Sequence, residues 1–280
     1  MKISFLDFWG DFDHSNNFFL DLLRNIYGAT LSHPNEADVV IYTCFGNDHK
    51  SVDRSRTKKI FYTGENIRPN FADCDYSFSF DFDSYNNKNI RLPLWMLQLD
   101  WFGNTNYSNP NYIVALSEIN SGPLVEKKKT KFCCTVFNNL SPYREEVYRA
   151  LNTYKQVDGY GRPFGNWFYG EKQKLEVLSD YKFNICFENS IYPGYYTEKM
   201  IHAKAAGCLP LYWADKNCDI DFNNRSFINL NDYNTVQEFV DKVIELDSDE
   251  ESYSKIQSQH LFEDRSLSLE NIISQIKARL

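Results

Sequence analysis

The chain has 280 residues, of which 42% are hydrophobic, so there is ample material for a core and global disorder is excluded. Thirty lysine and arginine residues against 38 aspartate and glutamate residues give a formal net charge of −8, which argues against a general nucleic-acid binder. No run approaches the roughly 18 apolar residues that a membrane span requires.

The first 125 residues alternate between strand and helix patterns. Apolar runs predict strands in "MKISFLDFW", "ADVVIYTCFG" and "KKIFYTGEN", and "YSFSFDF" and "RLPLWML" continue the same half. The segment "NNFFLDLLRNIYG" has a helical pattern that ends at Gly28. This alternation predicts an α/β domain over residues 1–125.

Residues 121–131, "SGPLVEKKKTK", combine Gly122, Pro123 and a run of three lysines between two apolar segments. This composition predicts a linker, although an ordinary solvated loop inside one domain is the alternative.

A second alternation of strands and helices predicts another α/β domain over residues 126–280. Strands are predicted in "KFCCTVFNN", "KQVDGYG", "KFNICFEN" and "CLPLYWA". Helices are predicted in "SPYREEVYRALNTY", with Ser141 as N-cap, "EKQKLEVLSDY", "TEKMIHAKAAG", closed by Gly207, "VQEFVDKVIEL" and "LENIISQIKARL". Two successive α/β halves with a cleft between them are the simplest architecture.

Seven cysteines contain no C-x-x-C pair, and several lie inside apolar runs, which indicates buried reduced thiols in a cytosolic protein. The five histidines are too dispersed for a zinc site. Asp7 interrupts the apolar N-terminal stretch before a signal-peptide core can form. We therefore expect a soluble cytoplasmic protein, with peripheral membrane association left open.

The segment "FENSIYPGYYTEKM", residues 187–200, joins a predicted strand to a predicted helix, at the end of a sheet where ligands collect. Thr197 is expected to cap the helix and leave its first N–H groups facing the cleft, and Lys199 adds a positive charge. Together they predict a site for an anion such as a diphosphate. Glu198 could accept hydrogen bonds from ribose hydroxyls. The alternative is an ordinary helix start with Glu198 and His202 as a surface pair.

A second polar cluster, "FYTGENIRPNF", follows the third predicted strand. Gly64 permits a tight turn that places Glu65 at the carboxyl end of that strand. Because aromatic residues flank Glu65, we expect partial desolvation and a raised pKa, which suits a general base.

Two other patterns are weak. "GYGRPFG" lacks the spacing of a dinucleotide fingerprint and is better explained as a turn that presents Arg162. Several D-x-D triplets could suggest a divalent metal, but they arise easily in an Asp-rich chain.

With "FYTGEN" and "FENS…YYTEKM" in one chain, the sequence resembles the α-1,3-fucosyltransferases of glycosyltransferase family 10, of the bacterial soluble type. "ISFLDFWGDF", "RLPLW" and "VDGYG" are similar to further family segments. The resemblance implies α/β architecture with two facing Rossmann-like domains, the GT-B type, and an active site in the cleft between them. Residues 1–125 would be the acceptor side, and residues 126–280 would bind the GDP-sugar donor.

The resemblance also implies an inverting transferase that moves L-fucose from GDP-fucose to an acceptor glycan, here α-1,3 to the N-acetylglucosamine of an N-acetyllactosamine-type acceptor. Glu65 would be the general base. The donor would contact five residues, namely Arg162, Asn189, Tyr195, Glu198 and Lys199. Of these, Arg162 and Lys199 would stabilise the diphosphate, with Arg144 as an alternative to Arg162.

The implied partners are GDP-fucose and an oligosaccharide acceptor, and no nucleic acid. No cofactor or metal is expected to be required, and non-essential stimulation by a divalent cation stays open. Trp101 and Tyr107 are candidate sugar contacts. Acceptor identity, 1,3 against 1,4 linkage and oligomeric state are left open. Two alternatives are a transferase of the same fold that uses another nucleotide sugar and an inactive relative that binds carbohydrate.

Overall fold

The computed structural model describes residues 1–104, 106–107, 114–115, 119, 127–168, 170–263 and 268–280. The chain forms two compact units. The first comprises Met1–Ile113 together with Leu267–Leu280, and the second comprises Val114–Ser266.

The first unit is built on a six-stranded parallel sheet in the order β2-β1-β3-β4-β5-β6. The strands are β1 (Lys2–Leu6), β2 (Thr30–Leu31), β3 (Val39–Tyr42), β4 (Lys58–Tyr62), β5 (Tyr76–Ser79) and β6 (Asn89–Arg91), and β7 (Leu99–Asp100) follows outside this sheet. All four residues of β3 are buried, as expected for a continuous apolar run in the centre of a parallel sheet.

Helix α1 (Phe18–Tyr27) follows β1. The side chain of Asn17 caps the helix by accepting from the N–H of Leu20 at 2.9 Å. Gly28 ends it with a left-handed φ of 61°, and its N–H donates to the carbonyl of Arg24 at 2.9 Å, which confirms the predicted helix end. The "LPLWML" segment instead forms a 3₁₀ turn over Leu94–Gln98.

The second unit contains a five-stranded parallel sheet in the order β10-β9-β11-β12-β13. The strands are β8 (Val114–Ala115), which lies outside this sheet, β9 (Lys131–Val136), β10 (Val157–Tyr160), β11 (Tyr181–Ile185), β12 (Leu209–Tyr212) and β13 (Ile228–Asn229). The α-helices that lie within its described residues are α2 (Pro142–Tyr154), α3 (Glu171–Leu178), α4 (Lys199–Ala205), α5 (Val236–Ser248) and α6 (Glu250–Gln257). Phe183, Leu211 and Phe239 are fully buried members of its hydrophobic core.

The last helix, α7 (Leu269–Lys277), belongs to the first unit. The hydroxyl of Tyr27 donates to the carbonyl of Ile276 at 3.4 Å, and Arg279 Nε donates to the carbonyl of Asn87 at 2.7 Å. The sequence instead assigned all of residues 126–280 to the second domain. The difference arises because an amphipathic helix shows that it has an apolar face but not which core that face joins.

All seven cysteines are free thiols, and all except the half-buried Cys44 are buried, as predicted. Most of the predicted linker, residues 121–126, lies outside the described residues. Among the described residues, no helix is both long and apolar enough to cross a membrane.

Candidate active site

The carboxyl ends of β9, β10, β11 and β12 lie along one edge of the sheet of the second unit, because all four strands are parallel. The segments that leave this edge carry every donor-site residue predicted from the sequence. Loops at the carboxyl end of a parallel sheet are where α/β proteins bind ligands.

A buried carboxylate, Glu188, organises the segment after β11. It is fully buried and accepts the N–H of Thr197 at 2.8 Å. It also accepts the hydroxyl of Thr197 at 2.8 Å and that of Tyr212 at 2.9 Å. The fourth donor is the ammonium of Lys199, 3.0 Å from Oε2. Glu188 could not be predicted as a site residue from the sequence, since a glutamate shortly after a strand gives no signal of burial.

The start of α4 differs from the expectation. The N-cap residue is Glu198, without a side-chain cap, whereas the hydroxyl of Thr197 is bound to Glu188. The predicted capping by Thr197 is therefore wrong, because a buried carboxylate competes for its hydroxyl. The helix has only seven residues. The positive charge at this position comes from the side chain of Lys199.

The ammonium of Lys199 lies between two carboxylates. Besides its bond to Glu188, it donates to the hydroxyl of Thr197 at 2.7 Å and lies 4.0 Å from Oε1 of Glu198. Burial alone would lower the pKa of Lys199, but Glu188 and Glu198 outweigh that effect and hold the pKa above its usual value. Lys199 is thus an ammonium throughout the neutral pH range.

Glu198 lies within a positive environment, and about a fifth of its side chain is exposed (21%). Burial alone would raise its pKa, but the charges of Lys199 and Lys174 hold the pKa well below its usual value. The Nζ of Lys174 lies 2.8 Å from Nδ1 of His202, and His202 is buried. The alternative of an exposed Glu198–His202 pair is therefore wrong.

The guanidinium of Arg144, on α2, reaches the same segment. It donates to the carbonyl of Asn139 at 2.8 Å, to the carbonyl of Phe187 at 2.6 Å and to Oδ1 of Asn189 at 2.7 Å. Its buried Nε has no hydrogen-bond partner among the residues that the structure describes. Burial lowers the pKa of Arg144, and the charges of Glu188 and Glu198 oppose this shift.

Arg162 lies on the neighbouring loop after β10, and its side chain is exposed. Its N–H donates to Oδ1 of Asn138 at 3.4 Å. Gly161, with φ of 103°, lets the loop approach closely, since a Cβ there would stand 2.1 Å from the carbonyl oxygen of Phe137. The turn predicted to present Arg162 is thus present.

Tyr195 is buried, and its N–H donates to the carbonyl of Tyr192 at 3.0 Å. The adjacent Tyr196 donates its hydroxyl to Asp215, a buried carboxylate after β12 that the sequence analysis missed. Asp215 also accepts from the N–H and side-chain amide of Asn217 at 3.1 and 2.7 Å. The segment after β11 is therefore fastened at two points, by Glu188 and by Asp215.

In the first unit, Glu65 follows β4 in the turn expected from Gly64. The hydroxyl of Thr63 donates to the carbonyl of Glu65 at 2.9 Å and accepts its N–H at 3.0 Å. The carboxylate of Glu65 is exposed. The predicted desolvation is therefore wrong: Phe61 and Tyr62 turn into the core of the unit and do not cover Glu65.

Asp7, after β1, fixes the loop after β3. Its carboxylate accepts the N–H groups of Asp48 and His49 at 2.8 and 3.0 Å and lies 2.6 Å from Nδ1 of His49. A Cβ on Gly46 would stand 2.3 Å from Oδ1 of Asp7, so the loop requires glycine there. Asp7 itself has an uncommon φ of 57°.

Trp101 and Tyr107, the two candidate sugar contacts, both form hydrogen bonds within the first unit. Tyr107 is buried, and its hydroxyl donates to Asp21 at 2.5 Å. Trp101 is half-buried and donates its Nε1–H to the carbonyl of Met96 at 2.7 Å. Over the described part of the chain, no group of three or more His, Cys, Asp or Glu side chains could hold a metal ion.

Comparisons with known proteins agree on one family. The Alpha-(1,3)-fucosyltransferase FucT N-terminal domain matches residues 3–98. The C-terminal domain of glycosyltransferase family 10 (fucosyltransferase) matches residues 125–260.

Curated relatives match over part of their own length. Alpha-(1,3)-fucosyltransferase FucT from Helicobacter pylori is 32% identical over 283 residues, which cover 90% of this chain and 58% of the relative. The 4-galactosyl-N-acetylglucosaminide 3-alpha-L-fucosyltransferase 9 of Homo sapiens is 32% identical over 129 residues, 45% of this chain and 36% of the relative. The chain thus spans less than two thirds of the length of these relatives.

Solved structures match over almost the whole chain. Crystal structures of an alpha1,3-fucosyltransferase with GDP-fucose and with GDP are 28% identical, with TM-scores of 0.73 and 0.74, and each match covers 99% of this chain and 89% of the other. Anabaena Alr3699/HepE in complex with UDP and glucose has a TM-score of 0.56 at 11% identity over 99% of this chain and 98% of its own, which shows the fold alone. These matches confirm the predicted α/β class with two Rossmann-like domains of GT-B type.

Proposed function

Because the chain belongs to glycosyltransferase family 10, the fucosyltransferases, we propose that it transfers L-fucose from GDP-fucose to a hydroxyl of an acceptor glycan with inversion at the anomeric carbon. The acceptor is an N-acetyllactosamine-type glycan, fucosylated α-1,3 on its N-acetylglucosamine. The H. pylori relative and the fucosyltransferase 9 relatives, by their names, support this choice of linkage and acceptor.

The observation that carries the proposal is that two cations, Arg144 and Lys199, each contact the segment after β11. Arg144 contacts Asn189 and Phe187, and Lys199 lies beside Thr197. Two fixed cations with N–H groups suit a diphosphate, which carries negative charge on several oxygens. They would stabilise the charge that grows on GDP as the bond to fucose breaks.

The other donor residues take roles that match their chemistry. Glu198, held as a carboxylate, accepts hydrogen bonds from the ribose hydroxyls. Asn189, which accepts from Arg144, and the buried Tyr195 line the donor pocket. Arg144 makes the diphosphate contact that the sequence had assigned first to Arg162. Arg162, which is exposed on the neighbouring loop, contributes positive charge at the rim of the donor pocket.

Glu65 acts as the general base. Its carboxylate removes the proton of the acceptor hydroxyl as the oxygen attacks C1 of fucose, and GDP leaves with the electron pair of the broken bond. This single displacement inverts the anomeric centre without a covalent nucleophile. Exposure of Glu65 is compatible with this role, since a base that meets an incoming sugar must be reachable.

No metal or other cofactor is part of the proposed reaction, because Arg144 and Lys199 supply the positive charge that the leaving diphosphate needs. Stimulation by a divalent cation that is not essential, and a cytoplasmic location, belong to the same proposal.

Calorimetric titration of GDP and UDP tests the donor half without knowledge of the acceptor. We expect GDP to bind and UDP to bind at least tenfold more weakly. Lys199→Ala should weaken GDP by about 1.5–3 kcal/mol, the contribution of a charge-assisted contact. Lys172→Ala, which removes an exposed lysine of α3, is the control and should leave affinity unchanged.

Preference for UDP would indicate another nucleotide sugar as donor. Failure of both nucleotides to bind would indicate a relative without transferase function.

A further inference from the structure

The proposed function does not explain why the carboxylate of Glu188 is buried next to Lys199. It is fully buried, and its carboxylate is 3.0 Å from the one lysine ammonium assigned to the diphosphate. A negative charge at this distance weakens the attraction between Lys199 and an anionic donor. Burying a carboxylate also costs several kcal/mol before its partners offset it.

We propose that Glu188 is a positioning residue that aims the ammonium of Lys199 at the diphosphate of the donor. The inference rests on the proposed function. A lysine side chain has four rotatable carbon bonds and would otherwise move among many conformations. Fixing its ammonium before the donor arrives removes that cost from the transition state.

The hydrogen-bond geometry supports this role. An ammonium has three N–H groups. Thr197 and Glu188 accept two of them, at 2.7 and 3.0 Å, whereas Glu198 stands at 4.0 Å, beyond hydrogen-bond distance. Among the described residues, one N–H of Lys199 is thus left for a phosphoryl oxygen.

Glu188 is itself held rigidly. Oε1 accepts the N–H of Thr197 and the hydroxyl of Tyr212, which anchors the carboxylate to β12. The hydroxyl of Thr197 accepts from Lys199 and donates to Glu188, so the three groups form a closed ring of contacts. The position of the ammonium is therefore tied to the sheet.

Glu188→Gln tests the role because it preserves shape and removes the charge. The amide oxygen can still accept from the N–H of Thr197. We expect kcat for transfer to N-acetyllactosamine to fall at least tenfold, while the dissociation constant of GDP-fucose changes less than threefold. Removing the negative charge of Glu188 should strengthen the binding of GDP-fucose, whereas losing the alignment of Lys199 should weaken it. The two effects therefore largely cancel in the dissociation constant.

A double-mutant cycle separates positioning from a general structural role. In the Lys199→Ala background, Glu188→Gln should change kcat less than twofold, because no ammonium is left to align. Asp215→Asn is the matched control: it alters a buried carboxylate that holds the same segment through Tyr196. Its effect should be the same with and without Lys199. An unchanged effect of Glu188→Gln in the Lys199→Ala background overturns the inference.

A spectroscopic measurement reads the position of the ammonium directly. In protein labelled with ¹⁵Nζ-lysine, Lys199 should give a resolved ammonium signal, assigned by its loss in Lys199→Ala. The signal should vanish in Glu188→Gln and persist in Asp215→Asn. Its persistence in Glu188→Gln contradicts the inference even if activity is lost.

Tyr212→Phe provides a second variant where Glu188→Gln does not fold. It removes one donor to Glu188 at 2.9 Å and keeps the charge. We expect Tyr212→Phe to lower kcat by a smaller factor, two- to fivefold, and to have no effect in the Lys199→Ala background. A fall in kcat that persists in the Lys199→Ala background counts against the inference. If the wild-type protein fails to bind GDP, the proposed function is wrong and this inference fails with it. If the wild-type protein binds GDP and transfers fucose, but the effects of Glu188→Gln and Lys199→Ala are additive, only the inference about Glu188 fails.

Discussion

Nη2 of Arg144 donates to Oδ1 of Asn189 at 2.7 Å, which joins α2 to the segment after β11. From the sequence, Arg162 and Arg144 were alternative candidates for the contact with the diphosphate. The two residues differ in burial and contacts: Arg144 is buried and donates to Phe187 and Asn189, whereas Arg162 is exposed on the next loop.

Arg144→Lys should therefore weaken GDP binding by about 1.5–3 kcal/mol, or roughly 10- to 150-fold. A lysine keeps the charge but cannot reproduce the planar set of donors that contacts Asn139, Phe187 and Asn189. Arg162→Lys should change the affinity less than threefold. Titration calorimetry on both variants decides the assignment, and a larger loss for Arg162→Lys would reverse it.

Glu65→Gln should abolish most transfer while leaving the donor site intact. A general base contributes about 10²- to 10⁴-fold to a rate, so kcat should fall by at least 100-fold. GDP affinity should stay within twofold, since Glu65 and Lys199 belong to different units. Steady-state kinetics with N-acetyllactosamine, paired with calorimetry, checks both parts. Loss of GDP affinity in Glu65→Gln would show that the side chain has a role in donor binding instead.

Much of the fold follows from local signals in the sequence. The buried strand β3 and the helix end at Gly28 were predictable because apolar runs and left-handed glycine caps are properties of short segments. The attachment of α7 to the first unit was not, because it depends on contacts such as Tyr27 with Ile276, 249 residues apart.

Part of the candidate site could be predicted from the polar residues of the segment 187–200. Lys199 could be chosen as a charged residue where a strand leads into a helix, whereas Asn189 was chosen only through the resemblance to the family. The buried partners Glu188 and Asp215 could not, because a carboxylate shows its burial only when the donors that satisfy it are known. The burial expected of Glu65 was wrong for a different reason: the sequence does not show that the neighbouring Phe61 and Tyr62 point into the core.

Gly161→Ala should destabilise the second unit by at least about 2 kcal/mol. Its φ of 103° is unfavourable for alanine, and the new Cβ would stand 2.1 Å from the carbonyl oxygen of Phe137. Gly165→Ala is the control, since it has φ of 70° and open space around the added Cβ, and it should cost only about 1 kcal/mol. Urea unfolding compares the two. Equal losses would show that backbone strain alone, and not close approach, requires glycine at 161.

The buried lysine Lys204 makes stability depend on pH in a defined direction. Its ammonium donates to the carbonyls of Gln257 and Gln259 at 2.6 and 2.9 Å, at the end of α6. Burial lowers the pKa of Lys204 to about 8. Lysine in an unfolded chain has a pKa of about 10.4, so between about pH 8 and 10 the unfolded chain binds more protons than the folded one. The contribution of Lys204 to stability therefore rises with pH across this window and is constant below it.

Comparison of the wild type with Lys204→Met isolates this effect, because the other titrating groups are common to both proteins. From pH 7 to pH 9.5 the difference in free energy of unfolding should shift by about 2 kcal/mol in favour of the wild type. The two hydrogen bonds lost in the variant add an offset that does not depend on pH. Lys172→Met, at an exposed position, should show no shift. Parallel stability profiles for the wild type and Lys204→Met would mean that the two carbonyl acceptors keep the folded pKa of Lys204 near its ordinary value.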